Sequence, residues 1–226
     1  MEKILQLLAD RENIYPEALL DARKQLLDLL AENENDSEAV TYLTEVHYWL
    51  GTLAEDETEK EETLARGVEL GKQAATLAPD SVEANFWYAN CMAAHGMVRG
   101  MMNSLFYLEP MERHGNRALE LEETFYNAAP LRMMGRFYCK VPPWPVGLGD
   151  KKKGLALAKR AVELAPDHLY NQVILAEAYL SARYFDEARE GFEKVLAAPE
   201  PDQFKLSYAR YQAEAAFLLE RLENMI

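Results

Sequence analysis

The residue types that carry most enzyme chemistry are present in this chain, but their spacing does not suit such chemistry. The four histidines form no HExxH motif, and Cys91 and Cys139 form no CxxC pair. The sequence contains no GxSxG nucleophile elbow, and no Cys-His-Asn arrangement can be read from the order of its residues. We therefore predict a protein that is not an enzyme and that binds neither a metal ion nor a cofactor. A small enzyme using a cluster of His, Asp and Glu side chains stays open as an alternative.

The histidines and cysteines have a simpler structural interpretation. His47 and His95 fall at equivalent positions of an internal repeat, where an aromatic or apolar residue usually packs. Cys91 and Cys139 lie on predicted helices, and a free cysteine behaves as a small hydrophobic residue. We expect all four side chains to be structural.

A strip of positive charge is the most informative polar feature. Arg132, Arg136 and Lys140 are spaced so that they share one face of a helix. Like charges stacked on one face repel each other, so the strip requires a compensating group. Two kinds of group stay open. One is an acidic side chain of an adjacent helix, with Glu177 as a candidate, and the other is an anionic ligand or acidic peptide.

A loop with two glycines precedes three lysines in residues 145–153. The loop lacks the GxxxxGK[ST] pattern and follows a predicted helix, so we do not predict nucleotide binding. Asp150 is predicted to cap the next helix. Lys151, Lys152 and Lys153 then lie in its first turn, where the helix dipole disfavours cations. Contact with a partner and ordinary solvation both stay open for these lysines.

The overall composition excludes several classes of protein. The chain has 226 residues, a net charge of −14 and 49% apolar residues. The acidity disfavours nucleic acid as a partner, because phosphate contacts need a basic surface. No apolar run approaches the roughly 20 residues that a membrane-spanning helix needs. The acids are concentrated in residues 1–80, with 19 Asp and Glu against 7 Lys and Arg, whereas residues 131–160 carry 8 basic residues and one acid.

Helices are the elements that must position these residues. Apolar residues recur at helical spacing along nearly the whole chain, and strand-like alternation is scarce. Asp36 and Ser37 offer N-cap side chains for one of the helices. The pattern predicts about ten helices and essentially no sheet. A methionine-rich stretch at 97–102 could form an adaptable partner surface or pack a helix corner.

An internal repeat predicts the fold class. The words GKQAATLAPD and LAKRAVELAPD place small residues and a Pro-Asp pair at an offset of 87 residues. These segments resemble tetratricopeptide repeats, which implies an all-α, right-handed superhelix of antiparallel helix pairs that stack on each other. We predict a single domain, 1–226, with these parts: irregular helices in 1–35, repeat units at about 36–80, 81–130, 131–166 and 167–200, and a capping helix at 202–223.

A narrower resemblance rests on three stretches of the sequence. They are EANFWYANCMAAHG at 83–96, RMMGRFY at 132–138 and PPWPVGLGDKKKGLALAKRAVELAPDH at 142–168. Together they resemble the T-component of tripartite ATP-independent periplasmic (TRAP) transporters and the related regulator-of-microtubule-dynamics proteins. The resemblance implies a helical, non-enzymatic protein that binds protein partners or small ligands, with oligomers among the family members.

These observations predict a binding module that recognises a peptide or a small anionic ligand in a concave groove. The predicted groove residues are Arg132, Arg136 and Lys140 for charge, Asn90 and Tyr170 for hydrogen bonds, Phe86 for apolar contact, and Glu177. The alternative is a transporter accessory protein, similar to the T-component, that docks a solute-binding partner and forms a homo-oligomer. The first residues open directly into a helical pattern, which predicts a cytoplasmic protein, or a periplasmic one if a leader was removed.

Overall fold

The computed structural model describes residues 1–100 and 105–225. The described residues form eleven α-helices, a short 3₁₀ helix at Leu105–Tyr107 and no strand, which confirms the all-α prediction. None of these helices is long and apolar enough to cross a membrane. Met101 and Met102 of the methionine-rich stretch lie outside the described residues. The helices are α1 (Glu2–Ala9), α2 (Glu17–Glu32), α3 (Ser37–Leu53), α4 (Glu57–Leu77), α5 (Val82–Arg99), α6 (Leu108–Leu121), α7 (Phe125–Lys140), α8 (Lys151–Leu164), α9 (Leu169–Ser181), α10 (Phe185–Leu196) and α11 (Lys205–Glu223).

Side-chain caps fix the start of several helices. The carboxylate of Asp36 accepts hydrogen bonds from the backbone N–H groups of residues 38 and 39 at the start of α3. Asp150 does the same for α8, accepting from the N–H groups of Lys152 and Lys153 at 3.0 Å. Both caps confirm the sequence-based prediction, and each is worth about 1 kcal/mol of helix stability. Asp150 also offsets the unfavourable position of the lysines in the first turn.

The chain divides into two compact units, and the first comprises Met1–Leu121. Its apolar core is formed by α1 to α5 and includes Leu19, Leu26 and Leu43. The helices α4 and α5 approach closely at Gly71, where an added Cβ would lie 2.8 Å from the Cα atom of Tyr88. The small residues that define the sequence repeat therefore permit close helix packing.

The second unit comprises residues 122–226 and contains α7 to α11. Here α7 and α8 approach closely at Gly154, where an added Cβ would lie 2.7 Å from the carbonyl oxygen of Gly135. The last helix, α11, packs Leu218 and Leu222 into a core that includes the fully buried Phe192. It thus covers an apolar face of α9 and α10, the role predicted for a capping helix.

Candidate functional site

The seven residues predicted to bind a ligand are distributed over both units. Phe86 and Asn90 lie on α5 of the first unit. Only 5% of Phe86 is exposed, and its ring packs edge-on against Trp87, so it offers little surface to a ligand. The side-chain amide of Asn90 donates to the backbone carbonyl of Phe86 at 3.0 Å. The other five residues lie on α7 and α9 of the second unit, where the structure brings them together.

The positive strip of α7 is compensated within the protein. The guanidinium of Arg136 pairs with Glu177 at 2.9 Å, and Lys140 pairs with the same carboxylate at 2.6 Å. Arg136 also pairs with Glu214 of α11 and donates to the hydroxyl of Tyr170 at 2.6 Å. Of the two compensating groups that the sequence left open, adjacent acidic side chains supply the charge for Arg136.

These contacts keep Arg136 charged despite its burial. Desolvation alone would lower the pKa of the guanidinium, but Tyr170, Glu177 and Glu214 outweigh it and raise the pKa above its ordinary value. The Glu177 carboxylate is also buried and holds two cations at once. Breaking such a buried pair is costly because it strands an uncompensated charge. Arg136 and Glu177 are therefore structural at the centre of the second unit.

Arg132 has a different role from the other two cations of the strip. Its guanidinium donates to the backbone carbonyls of Tyr126 and Asn127 at 3.0 and 2.9 Å. These two residues, with Ala128, have positive φ angles, so their carbonyls do not follow the helical pattern of α7. Asn171, which is fully buried, also donates to the Asn127 carbonyl, at 3.1 Å. Arg132 and Asn171 together hold the entrance of α7 in place.

The last helix contributes two residues that the sequence did not assign to the site. Tyr211 of α11 stacks on Tyr170, with ring centroids 4.4 Å apart and an interplanar angle of 12°. Glu214, one turn further along, reaches Arg136. Both contacts lie on the side of α7 and α9 that was predicted to face a ligand. A helix of the same chain therefore occupies the part of the predicted groove around Arg136.

A cavity of about 520 Å³ opens at the other end of the strip, next to Lys140. Its wall is formed by the ends of α7, α9 and α11, the start of α8 and the loop after α7. Four cations and one carboxylate line it, and the rest of the wall is largely apolar. The charged lining residues are Lys140, Lys151, Arg183, Arg221 and Glu177. In the described part of the chain, no ion pair involves Lys151, Arg183 or Arg221.

The helix ends around the cavity reduce its positive charge without cancelling it. The carboxyl-terminal ends of α7, α9 and α11 lie at the wall, and each is equivalent to about −0.5 of a charge. Together the three ends carry about −1.5 charges, and the amino-terminal end of α8 adds about +0.5. The helix ends therefore contribute about −1 charge, which is less than the excess of three positive charges on the lining side chains. The groups that line the cavity therefore carry a net positive charge, in a chain whose net charge is −14.

Arg183 takes an uncommon backbone conformation at this cavity. Its φ is 66°, in the left-handed region that favours glycine. It follows α9 in a Schellman turn, in which the Arg183 N–H donates to the Leu180 carbonyl and the Tyr184 N–H donates to the Tyr179 carbonyl. Glycine is the usual residue at this position of the turn. An arginine at this position therefore costs backbone free energy that a glycine would avoid.

The side chains of His47, Cys91 and Cys139 are buried in the helix packing. No group of three His, Cys, Asp or Glu side chains among them could hold a metal ion. His47 contacts the backbone carbonyl of Leu43 at 2.8 Å, and burial lowers its pKa. Burial raises the pKa of the Cys139 thiol to about 11 and that of Cys91 further, so both thiols stay protonated at neutral pH.

Comparison with known proteins identifies the family. A sequence model of the regulator of microtubule dynamics protein 1-3 family matches residues 2–144. The chain belongs to this family. The match covers α1 to α7 and ends inside the loop at Trp144, so three of the cavity cations lie beyond the residues matched by the family model. No curated protein matches the chain.

Solved structures extend the similarity to nearly the whole chain. This member of the family is similar to TTC0263, a thermophilic TPR protein of Thermus thermophilus, with 22% identity, a TM-score of 0.64 and coverage of 95% of each chain. It is also similar to the MamA protein, with 17% identity, a TM-score of 0.54 and coverage of 89% of this chain and 100% of that chain. These similarities confirm the tetratricopeptide-like fold. The resemblance to the transporter T-component stays a prediction.

Proposed function

We propose that this protein is a non-enzymatic interaction module that binds an acidic peptide segment at the cavity of its second unit. The observation that carries the proposal is the excess of cations around the cavity, where Lys140, Lys151, Arg183 and Arg221 face a single carboxylate. The tetratricopeptide-like fold favours a protein partner over a free small anion.

The cavity fits this role better than the centre of the α7 strip does. Arg132 donates hydrogen bonds to backbone carbonyls, and Arg136 pairs with carboxylates of the same chain. Lys140 stands between the two regions, since it pairs with Glu177 and keeps 46% of its side chain exposed. The remaining three cations are exposed and come from α8, α11 and the turn after α9.

The strength of the expected interaction follows from the exposure of these cations. An exposed ion pair contributes at most about 1 kcal/mol and is screened by salt. Three or four such pairs give a weak complex whose affinity falls steeply as the salt concentration rises. Removal of one cation should reduce the affinity by a factor of about 2 to 5, and reversal of its charge should reduce it further.

The test is fluorescence anisotropy of a labelled hexaglutamate peptide, with hexaglutamine as the uncharged probe. We expect the protein to bind hexaglutamate at low salt and to leave hexaglutamine free. The variants Lys151→Glu and Arg221→Glu should each weaken hexaglutamate binding at least fivefold. Lys194→Glu is the matched control, because Lys194 is an exposed lysine of the second unit that does not line the cavity. Equal losses in all three variants, or no binding of hexaglutamate, would refute the proposal.

The transporter-accessory alternative calls for a separate test. A protein that docks a solute-binding partner and oligomerises should form stable oligomers in solution, which light scattering coupled to size exclusion measures directly.

A further inference from the structure

An apolar loop forms part of the rim of the cavity. Residues 143–146, Pro-Trp-Pro-Val, are all exposed and all apolar. Trp144 is 85% exposed and Val146 is 67% exposed. The preceding residues, Val141 and Pro142, line the cavity together with Pro143. The exposed apolar surface is therefore continuous with the positively charged cavity.

Backbone hydrogen bonds hold this loop in one conformation. The N–H of Gly149 donates to the Pro142 carbonyl at 2.9 Å, and the N–H of Val146 donates to the Pro143 carbonyl at 3.1 Å. The two ends of the loop are pressed together, because a Cβ added at Gly149 would overlap the Val141 carbonyl oxygen. Trp144 is thus presented to solvent by an ordered loop.

Trp144 differs from the other two tryptophans of the chain. Trp87 is almost fully buried, and Trp49 packs under the guanidinium of Arg11 at 4.5 Å. A large apolar side chain left in water is unfavourable unless a partner covers it. Tryptophan is also one of the residues that most often dominate binding energy at protein interfaces.

We propose that the acidic segment bound by the cavity carries an apolar side chain that packs on Trp144 and Val146. This inference rests on the proposed function, because it names a second feature of the same ligand. Pro143 lines the cavity and Trp144 is its neighbour, one Cα–Cα step of about 3.8 Å away. An extended peptide advances about 3.4 Å per residue. The apolar residue of the ligand therefore lies within a few positions of the first carboxylate.

A peptide fits this surface better than a lipid membrane does. The cations line a cavity, into which side-chain carboxylates can reach, whereas a membrane offers a broad layer of headgroups. The ligand is then an acidic segment preceded or followed closely by a leucine-like residue.

The experiment compares two peptides that differ in one side chain. Each has six glutamates, with either leucine or alanine two residues before the first glutamate. We expect the leucine peptide to bind about five times more tightly than the alanine peptide. This gain should vanish in Trp144→Ala and persist in Phe217→Ala. Phe217 is the matched control, since it is a 64% exposed aromatic residue of the second unit that does not line the cavity.

Tryptophan fluorescence gives a second readout. Trp144 is the tryptophan most accessible to acrylamide, and its signal is isolated as the difference between the wild-type protein and Trp144→Ala. The leucine peptide should shift this emission to the blue and reduce its quenching. If hexaglutamate binds but both peptides have equal affinity, this inference is wrong while the proposed function stands. Stronger protection of Trp144 by vesicles with anionic lipids than by the leucine peptide would assign the loop to membranes and overturn the inference.

Discussion

Replacement of Arg183 by glycine should stabilise the protein while it weakens ligand binding. A residue with a Cβ costs about 1–2 kcal/mol in the left-handed conformation, which Arg183 adopts with a φ of 66°. Glycine avoids this cost but loses about 0.5–1 kcal/mol more in conformational entropy on folding. The difference leaves a net gain of about 0.5–1 kcal/mol in the free energy of unfolding for Arg183→Gly.

Arg183→Ala separates the backbone effect from the charge. Alanine keeps the Cβ and therefore keeps the strained conformation, so its stability should stay close to that of the wild-type protein. Both variants remove the same positive charge from the cavity. They should therefore weaken hexaglutamate binding by the same factor of about 2 to 5.

Urea denaturation, followed by circular dichroism, and peptide anisotropy measure the two effects on the same samples. The urea midpoint of unfolding should rise for Arg183→Gly alone. In a thermal scan, the melting temperature should rise by roughly 1–4 °C in a chain of this size. Equal stability of the two variants would show that the turn carries no strain. Unchanged hexaglutamate affinity in both variants would show that Arg183 has no part in binding. Contact with a ligand would then fail to explain why an arginine occupies a position that favours glycine.

Three further predictions concern packing, the buried ion pairs and pH. Gly71→Ala should lower the free energy of unfolding by about 2 kcal/mol, because the added Cβ would lie 2.8 Å from the Tyr88 backbone. Urea denaturation measures this loss. A variant as stable as the wild-type protein would contradict the close approach of the two helices. Glu177→Gln should cost about 2 kcal/mol in the same assay, since it removes one of the two carboxylates that pair with the partly buried Arg136 and leaves Glu214. Burial lowers the pKa of His168 to about 4, so the unfolded state binds a proton that the folded state does not between pH 6.5 and 4. The free energy of unfolding should therefore fall as the pH drops through this window, and it should fall less steeply in His168→Asn. Identical slopes of the free energy of unfolding against pH in the two proteins would exclude His168 as a cause.

Features that depend on neighbouring residues in the sequence were predictable. Asp36 and Asp150 are N-caps because a short acceptor stands directly before a helical pattern. Gly71 indicates close helix packing because the repeat places a small residue at this position in both words, Gly71 in the first and Ala158 in the second. The spacing of Arg136 and Lys140 indicated a shared helix face, and Glu177 was correctly named as their candidate partner.

Features that depend on distant residues were not predictable. Glu214 lies 78 positions from Arg136, and nothing distinguishes it in sequence from the other acids of α11. The turn at Arg183 lacks the glycine that normally announces a left-handed residue. Repeat register placed Phe86 toward the groove, but the large aromatic side chains of the first unit pack it into the core instead.

The contacts of α11 act as a tethered competitor for any acidic ligand. Glu214 and Tyr211 belong to the same chain as Arg136 and Tyr170, and tethering gives such groups an effective concentration on the order of millimolar. A free peptide that offered only a carboxylate and an aromatic ring would need a similar concentration to displace them. A ligand present at low concentration gains affinity only from groups that Tyr211 and Glu214 do not already contact. The cations that line the cavity are such groups.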